Sequence, residues 1–250
     1  MTPHPVLPGR VWQPGDELTD TSEQWEVVAS KRRHDGGFIS LREDTVRTPG
    51  GDDFERVVVE HKGAVGVVAL DADDRVLMLR QYRHAAASRL LELPAGILDV
   101  DGEPALDAAA RELTEETDVV AGSWSPLVQM WSSPGMTDEH WQVFVARDLR
   151  PAAPGSVPER EHEEAYMDVV WVPLAEAVRA VLERRITDSM ALVGVLAVWA
   201  QRDGHSVQAR RASRPGCTPT IPRLLGDAGP CWAMLGRAGR DGQSVRARLA

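Results

Sequence analysis

The sequence predicts an α/β protein, a mixed sheet of the α+β kind with helices on its faces, preceded by a small antiparallel strand module. Eight short runs rich in β-branched and aromatic residues recur along the first 173 positions. Clusters of Gly, Pro and Asp, such as residues 35–37 and 49–51, separate several of these runs. Only three stretches show helical periodicity, so strands dominate and the helices are expected to cover the sheet.

The N-terminal part divides into two segments. Residues 1–20 are rich in proline and poor in apolar residues, so we expect a flexible N-terminus. Residues 21–62 contain three strand-like runs, WEVVASKR, FISLREDTVR and ERVVVEH. They predict a small antiparallel strand module, and a few isolated strands are only marginally stable without a packing partner.

Residues 63–204 contain the larger part of the predicted sheet. The runs AVGVVAL and RVLMLRQY are typical of buried strands, and LVQMW, HWQVFVA and MDVVWVP of further strands. Two later stretches, LAEAVRAVLERR and SMALVGVLAVWAQR, have amphipathic and apolar helical patterns respectively. This order of elements predicts one domain whose sheet is covered by helices.

Charge separates the body of the chain from its tail. Residues 1–200 hold 19 Lys+Arg and 35 Asp+Glu, whereas residues 201–250 hold 9 Arg and 3 Asp. An acidic body repels a phosphate backbone, so we expect no nucleic-acid ligand. Residues 205–250 lack Glu and Lys and show little periodicity, which predicts a disordered basic tail.

Cysteine usage and hydropathy bear on the compartment. Both cysteines, Cys217 and Cys231, lie in the tail, so the body has neither a disulfide nor a thiolate metal site. We therefore expect a cytoplasmic protein. The chain shows no signal-peptide pattern and no long apolar run, so no membrane association is expected.

A helix with an acidic face follows a Pro/Gly-rich loop within residues 91–119. Glu112, Glu115 and Glu116 are three or four residues apart or adjacent, so they project toward one small volume. Like charges at that separation are stabilised by a cation, and hard carboxylate oxygens select Mg²⁺, with Mn²⁺ as the alternative. Arg111 precedes Glu115 by four residues and is expected to orient it.

This stretch resembles the Nudix signature, which runs from a glycine through a glutamate to Arg-Glu-hydrophobic-x-Glu-Glu-x-Gly. Two departures occur: six residues instead of five separate Gly96 from Glu103, and Asp118 replaces the last glycine. The spacing from Glu103 to Glu116 is intact. Eight positions match, and an ordinary charged surface helix is the alternative interpretation. The matching residues are Gly96, Glu103, Arg111, Glu112, Leu113, Glu115, Glu116 and Val119.

Residues 24–202 resemble the ADP-ribose pyrophosphatase branch of the Nudix family, particularly its actinobacterial members. The runs LLELPAGILDV, SSPGMTDE and EREHEEAYMDVVWVP carry this resemblance. It implies a Nudix fold, an α/β/α sandwich, and Mg²⁺-dependent hydrolysis of ADP-ribose to AMP and ribose 5-phosphate. It also implies a homodimer that exchanges the N-terminal strand module, with a small-molecule nucleoside diphosphate bound in a cleft between the subunits.

The resemblance also assigns roles to metal-binding and catalytic residues. The backbone carbonyl of Ala95, with Glu112 and Glu116, would hold Mg²⁺, and Glu115 would support a further ion; Glu112 is counted among the catalytic residues as well. A loop carboxylate would orient the attacking water. Glu164 is the first choice and Glu163 the second, and a solvated charge run is the alternative.

Two residues are assigned to the substrate by the same resemblance. Arg83 would pair with a phosphate, and Glu139 would hydrogen-bond a ribose, with exposed surface residues as the alternative for both. Trp25 and Trp131 are candidates for adenine stacking or for the core. Two other functions remain open: a pyrophosphatase for another nucleotide sugar, and a non-catalytic Nudix sensor that binds ADP-ribose. The retained carboxylates favour an enzyme over the sensor.

Overall fold

The computed structural model describes residues 1–155, 160 and 164–202. The contacts of the chain divide it into two units, and all described residues belong to the first, Met1–Ser206. The predicted tail, residues 205–250, and the candidate Glu163 lie outside the described residues.

Strands occupy much of the N-terminal region. The short strands β1 (Thr2–Pro3) and β2 (Arg10–Val11) pair with each other in residues 1–20, where the sequence predicted a flexible N-terminus and no strands. Strands β3 (Glu26–Gly36), β4 (Ile39–Arg47) and β5 (Asp53–His61) form an antiparallel meander, which we call the strand module. The turns of Gly and Asp identified in the sequence connect its strands.

Two further sheets form the body. Strands β6 (Ala64–Ala69), β9 (Ala95–Ile97), β10 (Val119–Trp131) and β11 (His140–Pro151) form a mixed sheet in the order β10-β11-β6-β9. Only its β11–β6 pair is parallel. Strands β7 (Arg75–Arg83), β8 (Ser88–Glu92) and β12 (Asp168–Pro173) form an antiparallel sheet in the order β12-β7-β8.

Three helices cover these sheets on opposite sides. Helix α1 (Ala105–Thr117) buries Leu113 in one core cluster, together with Val67 of β6. Helices α2 (Leu174–Leu182) and α3 (Ser189–Arg202) pack on a second cluster that includes Val68 of β6 and Met78 of β7. Neighbouring residues of β6 thus point into different clusters, because side chains alternate along a strand. The predicted mixed sheet with helices on its faces is confirmed.

Several elements differ from the sequence prediction. Strands β8 and β9 lie where no strand was expected. They form because β8 pairs with β7 and β9 pairs with β6. Strand β10 begins at Val119, well before the predicted LVQMW, since its pairing with β11 overrides the Gly, Ser and Pro in its first half. Pro126 is accommodated by an irregular register between Pro126 and Val128.

The C-terminal end of β5 joins the strand module to the body. The Val59 amide donates to the Met136 carbonyl at 2.8 Å, and the His61 amide donates to Asp138 Oδ1 at 2.8 Å. Both acceptors belong to the segment 132–139 between β10 and β11. Among the helices that the structure describes, none combines the length and the apolar character needed to span a membrane.

Candidate metal and active site

The acidic face of α1 is organised around Arg111. Its guanidinium donates to Glu103 at 3.1 and 3.0 Å, to Glu112 at 2.6 Å and to Glu115 at 3.2 Å. The contact with Glu115 is the one predicted from the four-residue spacing. Hydrogen bonding to Glu103 raises the pKa of Arg111 above its ordinary value, and Arg111 in turn lowers the pKa of Glu103. Arg111 therefore stays charged and holds the carboxylate of Glu103, which precedes α1, together with those of Glu112 and Glu115 on the helix.

Glu116 connects α1 to the beginning of β9. Its Oε2 accepts a hydrogen bond from the Ala95 amide at 2.8 Å, and only 6% of Glu116 is exposed. Ala95 and Gly96 belong to β9, and Ala95 pairs with Gly66 of β6. The residue whose carbonyl is predicted to bind a metal is therefore held through its amide against the end of the acidic face.

Gly96 is required by the close approach of Glu112. A Cβ atom added to Gly96 would lie 2.0 Å from Cδ of Glu112, which is far inside van der Waals contact. The carboxylate of Glu112 thus packs directly against the backbone of β9. Glycine occupies this position of the signature because a side chain would collide with Glu112, and not because the backbone adopts an unusual angle.

Burial raises the pKa of Glu112 to about 7, although the neighbouring Arg111 acts in the opposite direction. A buried carboxylate of this kind is stabilised by an added positive charge. The candidate donor atoms, the carboxylates of Glu112 and Glu116 and the main-chain carbonyl of Ala95, are all oxygens, which suit a hard divalent cation. The chemistry of the residues present therefore fits such an ion.

Among residues 1–155, 160 and 164–202, no group of three or more His, Cys, Asp or Glu side chains is arranged to hold a metal ion. The hydrogen bonds explain why the carboxylates do not converge on one point. Glu112 and Glu115 both accept from Arg111, and Glu116 accepts from the Ala95 amide. The metal-binding roles of Ala95, Glu112, Glu115 and Glu116 remain predictions.

Arg83 lies at the end of β7 and forms a bidentate ion pair with Glu92 of β8. Its Nε lies 2.9 and 3.1 Å from the two oxygens of Glu92, and its Nη2 lies 2.6 Å from Oε2. The Glu92 side chain is 5% exposed, whereas that of Arg83 is 48% exposed. The hydrogen bonds to Glu92 are the main cause of the raised pKa of Arg83, and the negative charges of Glu116 and Asp188 raise it further. Arg83 is thus held in place while part of its side chain faces solvent, and its phosphate-binding role remains a prediction.

Asp188 also belongs to this charged group. Its Oδ1 accepts the Ala191 amide at 2.7 Å at the beginning of α3, so it caps that helix. Burial raises the pKa of Asp188, and the negative charge of Glu92 raises it further. The capping carboxylate and the Arg83–Glu92 pair therefore share one electrostatic environment.

Glu139 lies at the end of the segment that contacts the strand module. Its carboxylate accepts a hydrogen bond from the Ser132 hydroxyl, and its Oε1 lies 3.8 Å from Nδ1 of His61. Trp131, next to Ser132, is 51% exposed and forms an edge-to-face pair with His140 at a centroid distance of 5.0 Å. Trp131 is thus not a core residue, and the ribose-binding role of Glu139 remains a prediction.

The predicted loop acids are described only in part. Glu163 and the side chain of Glu164 lie outside the described residues, and the main chain of Glu164 begins a 3₁₀ turn, Glu164–Tyr166. Arg160, four residues earlier in the sequence, donates to the Glu115 carbonyl at 2.8 Å and to Asp118 Oδ2 at 2.7 Å. The segment is therefore attached to the end of α1 at Arg160.

Comparison with known proteins identifies the family. The NUDIX domain description matches residues 60–192, which is more than half of the chain. The chain belongs to the Nudix family. The matched range includes the acidic face of α1, all of one core cluster and all of the other except its members in the last part of α3. Nudix hydrolases generally use divalent metals.

Two relatives and one solved structure extend this Nudix assignment. The ADP-ribose pyrophosphatase of Mycobacterium tuberculosis (strain ATCC 25618 / H37Rv) is 47% identical over 182 residues, covering 73% of this chain and 86% of the relative. The ADP-ribose pyrophosphatase of Bacillus subtilis (strain 168) is 32% identical over 167 residues, covering 66% and 86%. A crystal structure of an ADP compounds hydrolase has a TM-score of 0.56 at 22% identity, covering 75% of this chain and 100% of that chain, and shows the same fold.

Three residues that the structure brings to the site of this Nudix domain were not predicted from the sequence. Glu92 is a buried charge within the apolar run LLELPAG, and that mismatch could have identified it. Asp188 precedes an apolar helix, which is a capping pattern. Arg160 belongs to a charge run in which only the acids were considered, and no signal in the sequence distinguishes it.

Proposed function

We propose that this Nudix protein hydrolyses the diphosphate of ADP-ribose to AMP and ribose 5-phosphate. The observation that carries the proposal is 47% identity over 182 residues to a relative named ADP-ribose pyrophosphatase. The complete set of signature carboxylates, Glu112, Glu115 and Glu116, supports catalysis over binding alone. In the reaction, water adds to one phosphorus, the bridging P–O bond breaks, and the other phosphate leaves.

The metal is proposed to be Mg²⁺, with Mn²⁺ as a substitute, held by Glu112, Glu116 and the carbonyl of Ala95 and supported by Glu115. When bound, the ion supplies positive charge where negative charge develops on the phosphoryl oxygens. Arg111 orients the carboxylates of Glu112 and Glu115 by direct hydrogen bonds.

The substrate is proposed to be held by residues outside α1. Arg83 offers a guanidinium that Glu92 has already oriented, and a planar guanidinium suits a phosphate oxygen pair. Glu139 provides an acceptor for a ribose hydroxyl beside the exposed ring of Trp131. Glu164, or else Glu163, orients the water and accepts its proton.

We also propose a homodimer in which a second copy of the chain covers the strand module. Ile39, Leu41, Val57 and Val59 share one face of this module, because pairing and alternation place them on the same side. Val57 is 51% and Ile39 is 38% exposed, so the face is only partly covered within one chain. A symmetric partner would bury it. A cytoplasmic location is proposed because residues 1–200 contain no cysteine and so require no oxidising compartment.

A substrate panel tests the proposed activity. The protein is incubated with Mg²⁺ and, separately, ADP-ribose, ADP-glucose, UDP-glucose and NAD⁺, and products are identified by chromatography. We expect ADP-ribose to give the highest kcat/KM, with AMP and ribose 5-phosphate formed in equal amounts. A clear preference for another nucleotide sugar would replace ADP-ribose as the substrate, and binding of ADP-ribose without products would indicate a sensor.

A further inference from the structure

Glu92, the last residue of β8, is a buried carboxylate within an apolar segment. Its side chain is 5% exposed, and its neighbours Leu91 and Leu93 contribute to one core cluster. A buried ion pair requires that two charges lose their hydration, and well-packed apolar residues in its place are often as stable or more stable. Packing of β8 therefore does not account for a carboxylate at this position.

Glu92 holds one edge of the Arg83 guanidinium. Nε of Arg83 lies 2.9 and 3.1 Å from the two oxygens of Glu92, and Nη2 lies 2.6 Å from Oε2. A guanidinium also carries donors on Nη1. Within the part of the chain that the structure describes, no residue accepts a hydrogen bond from Nη1, and the Arg83 side chain is 48% exposed. The contact thus fixes the plane of the guanidinium and leaves Nη1 for another acceptor.

The register of the sheet shows how far the Arg83 side chain is constrained. Arg83 lies opposite Ser88, whereas Glu92 lies opposite Leu79, four residues earlier in β7. The Arg83 side chain therefore extends along the sheet to reach Glu92. A long side chain loses rotamer freedom when it is held in this way. Because this freedom is already lost before a ligand binds, binding through Nη1 does not have to remove it again.

The charges around Arg83 do not by themselves favour a phosphate. The carboxylate of Glu92 offsets the charge of the guanidinium, and Asp188 places a further negative charge in its neighbourhood. The Asp188 carboxylate accepts the Ala191 amide at 2.7 Å as the cap of α3. Negative charges repel phosphate oxygens. Glu92 can therefore favour phosphate binding through the position of the guanidinium, and not through charge.

We propose that Glu92 is a positioning residue, which holds Arg83 so that Nη1 donates to a phosphate of the substrate. Arg83 then acts as an oriented donor more than as a positive charge. The inference rests on the proposed function, in which Arg83 binds a phosphate of ADP-ribose. The two effects of Glu92 have opposite signs, because a fixed guanidinium strengthens phosphate binding whereas a negative charge weakens it. Removal of the charge at nearly constant shape shows which effect is larger.

Glu92→Gln makes that change. It replaces one acceptor oxygen with an amide group that cannot accept from Arg83. We expect KM for ADP-ribose to rise about tenfold and kcat to change less than about twofold, since a phosphate contact serves the bound substrate and the transition state alike. Repulsion alone predicts a lower KM. Steady-state kinetics at saturating Mg²⁺ measures both constants, and thermal unfolding checks that the variant is folded.

Arg83→Lys is a second test, which leaves the buried Glu92 unchanged. Lysine keeps the positive charge but cannot bind Glu92 through one edge and a phosphate through another in a fixed plane. We expect Arg83→Lys to raise KM almost as much as Arg83→Ala. A KM equal to that of the wild type would overturn the proposal, because charge alone would then be sufficient.

Two matched variants control for the loss of a carboxylate. Asp188→Asn removes a negative charge near Arg83 but keeps a good helix cap, so KM should fall slightly. Glu183 pairs with Nε and Nη2 of Arg185 at 2.9 and 2.8 Å, on an exposed surface outside the residues assigned to the site. Glu183→Gln should leave KM unchanged. A rise in KM in either control equal to that in Glu92→Gln would overturn the specific role of Glu92.

A double-mutant cycle gives the decisive result. In the Arg83→Ala background, Glu92→Gln should not raise KM further, because no guanidinium remains to be positioned. The melting temperature should rise relative to Arg83→Ala alone, since an unpaired buried charge is removed. Additive increases in KM, or an unchanged or lower KM in folded Glu92→Gln, would overturn the proposal.

The same measurements separate this inference from the proposed function. A wild-type protein without activity would contradict the proposed function itself. An active wild type with an unchanged KM in Arg83→Ala would contradict the phosphate-binding role of Arg83 and the inference with it. An active wild type in which Arg83→Ala raises KM and Glu92→Gln does not would contradict only the role of Glu92.

Discussion

The Nudix domain and the strand module are built in different ways. Strand β6 of the domain is buried on both faces, from Ala64 to Ala69. Strand β3 of the module, by contrast, is exposed along its whole length except at Gly36. The two strands differ in composition, since β6 has no charged residue whereas β3 has five, and they differ in what covers them. Helices on both sides cover β6, whereas a single sheet layer leaves β3 open.

This difference shows how the domain can hold charge in fixed places. Glu92 and Glu116 are 4% and 6% exposed, and each has a defined hydrogen-bonding partner supplied by a neighbouring strand or turn. Glu26 and Arg47 of the module are more exposed and pair at the surface, whereas Asp44 of β4 is 4% exposed and is held by Ser30 and Arg42. Buried charges require partners and lose much when a partner is removed, whereas exposed pairs contribute little. The active site is therefore expected to be sensitive, and the surface pairs of the module tolerant.

The largest effect is expected at the carboxylates of α1. Glu112→Gln and Glu116→Gln should each lower kcat about a hundredfold or more, since a lost metal carboxylate removes stabilisation of the transition state. Steady-state kinetics at saturating Mg²⁺ and Mn²⁺ titration by electron paramagnetic resonance measure the two consequences. The control is Glu26→Gln in the module, whose side chain is 62% exposed. Unchanged Mn²⁺ affinity in both α1 variants would remove them from the metal site.

The next effect concerns the packing of α1 on the sheet. Leu113 is fully buried, so Leu113→Ala should lower the free energy of unfolding by about 3 kcal/mol, from lost burial and the cavity that remains. Leu182, at the end of α2, is 70% exposed, so Leu182→Ala should change the free energy of unfolding by less than about 0.5 kcal/mol. Urea denaturation measures both. Similar losses in the two variants would contradict the packing of α1.

A smaller effect is expected where β9 approaches Glu112. Gly96→Ala places a methyl group 2.0 Å from the present position of Glu112 Cδ, so the carboxylate must shift. We expect kcat to fall about tenfold with little change in stability, because displaced catalytic groups act less efficiently. In the module, a Cβ at Gly50 would meet only Thr48 Oγ1 at 3.6 Å, so Gly50→Ala is the control. Full activity of Gly96→Ala would show that Glu112 need not occupy this position.

The smallest effect tests whether the module is covered in solution. Val57→Thr keeps the shape and β-propensity but adds a hydroxyl to the face that a second subunit is proposed to cover. Burial of that hydroxyl should raise the dimer dissociation constant about fivefold. Val169→Thr on β12, where Val169 is 39% exposed, is the matched control. Sedimentation equilibrium measures both variants, and a monomeric wild type at micromolar concentration would reject the dimer.

Regular periodicity made much of the fold predictable. The module strands, β6, β7 and all three helices follow from alternating or helical apolar patterns. Strands β8 and β9 were missed because they are short, with five and three residues, and only pairing with β7 and β6 makes them strands. Helical spacing from the buried Leu113 would place the apolar Leu106 on the core side of α1, but Leu106 is 39% exposed, while Ala108 is fully buried. The crossing of α1 over the sheet decides this rotation, and spacing alone does not reveal it.

The site was predictable to the extent that one helix carries it. The spacing within α1 placed Arg111 beside Glu115, as the structure confirms. Glu116 belongs to the acidic face, yet it is buried, because the beginning of β9 lies against it and the Ala95 amide donates to it. The contact of Arg83 with Glu92 depends on the pairing of β7 with β8, which was not predicted. The contact of Arg160 with Asp118 joins residues 42 positions apart, and a single sequence carries no signal for such a pair.

Product analysis of ADP-ribose with matched proteins tests the central claim most directly. Wild type and the double variant Glu112→Gln/Glu116→Gln are incubated with ADP-ribose and Mg²⁺ at equal concentration, and AMP and ribose 5-phosphate are quantified over time. The account predicts equal amounts of both products from wild type and none above background from a folded double variant. Intact ADP-ribose with the wild type, or equal rates of AMP formation by both proteins, would contradict it.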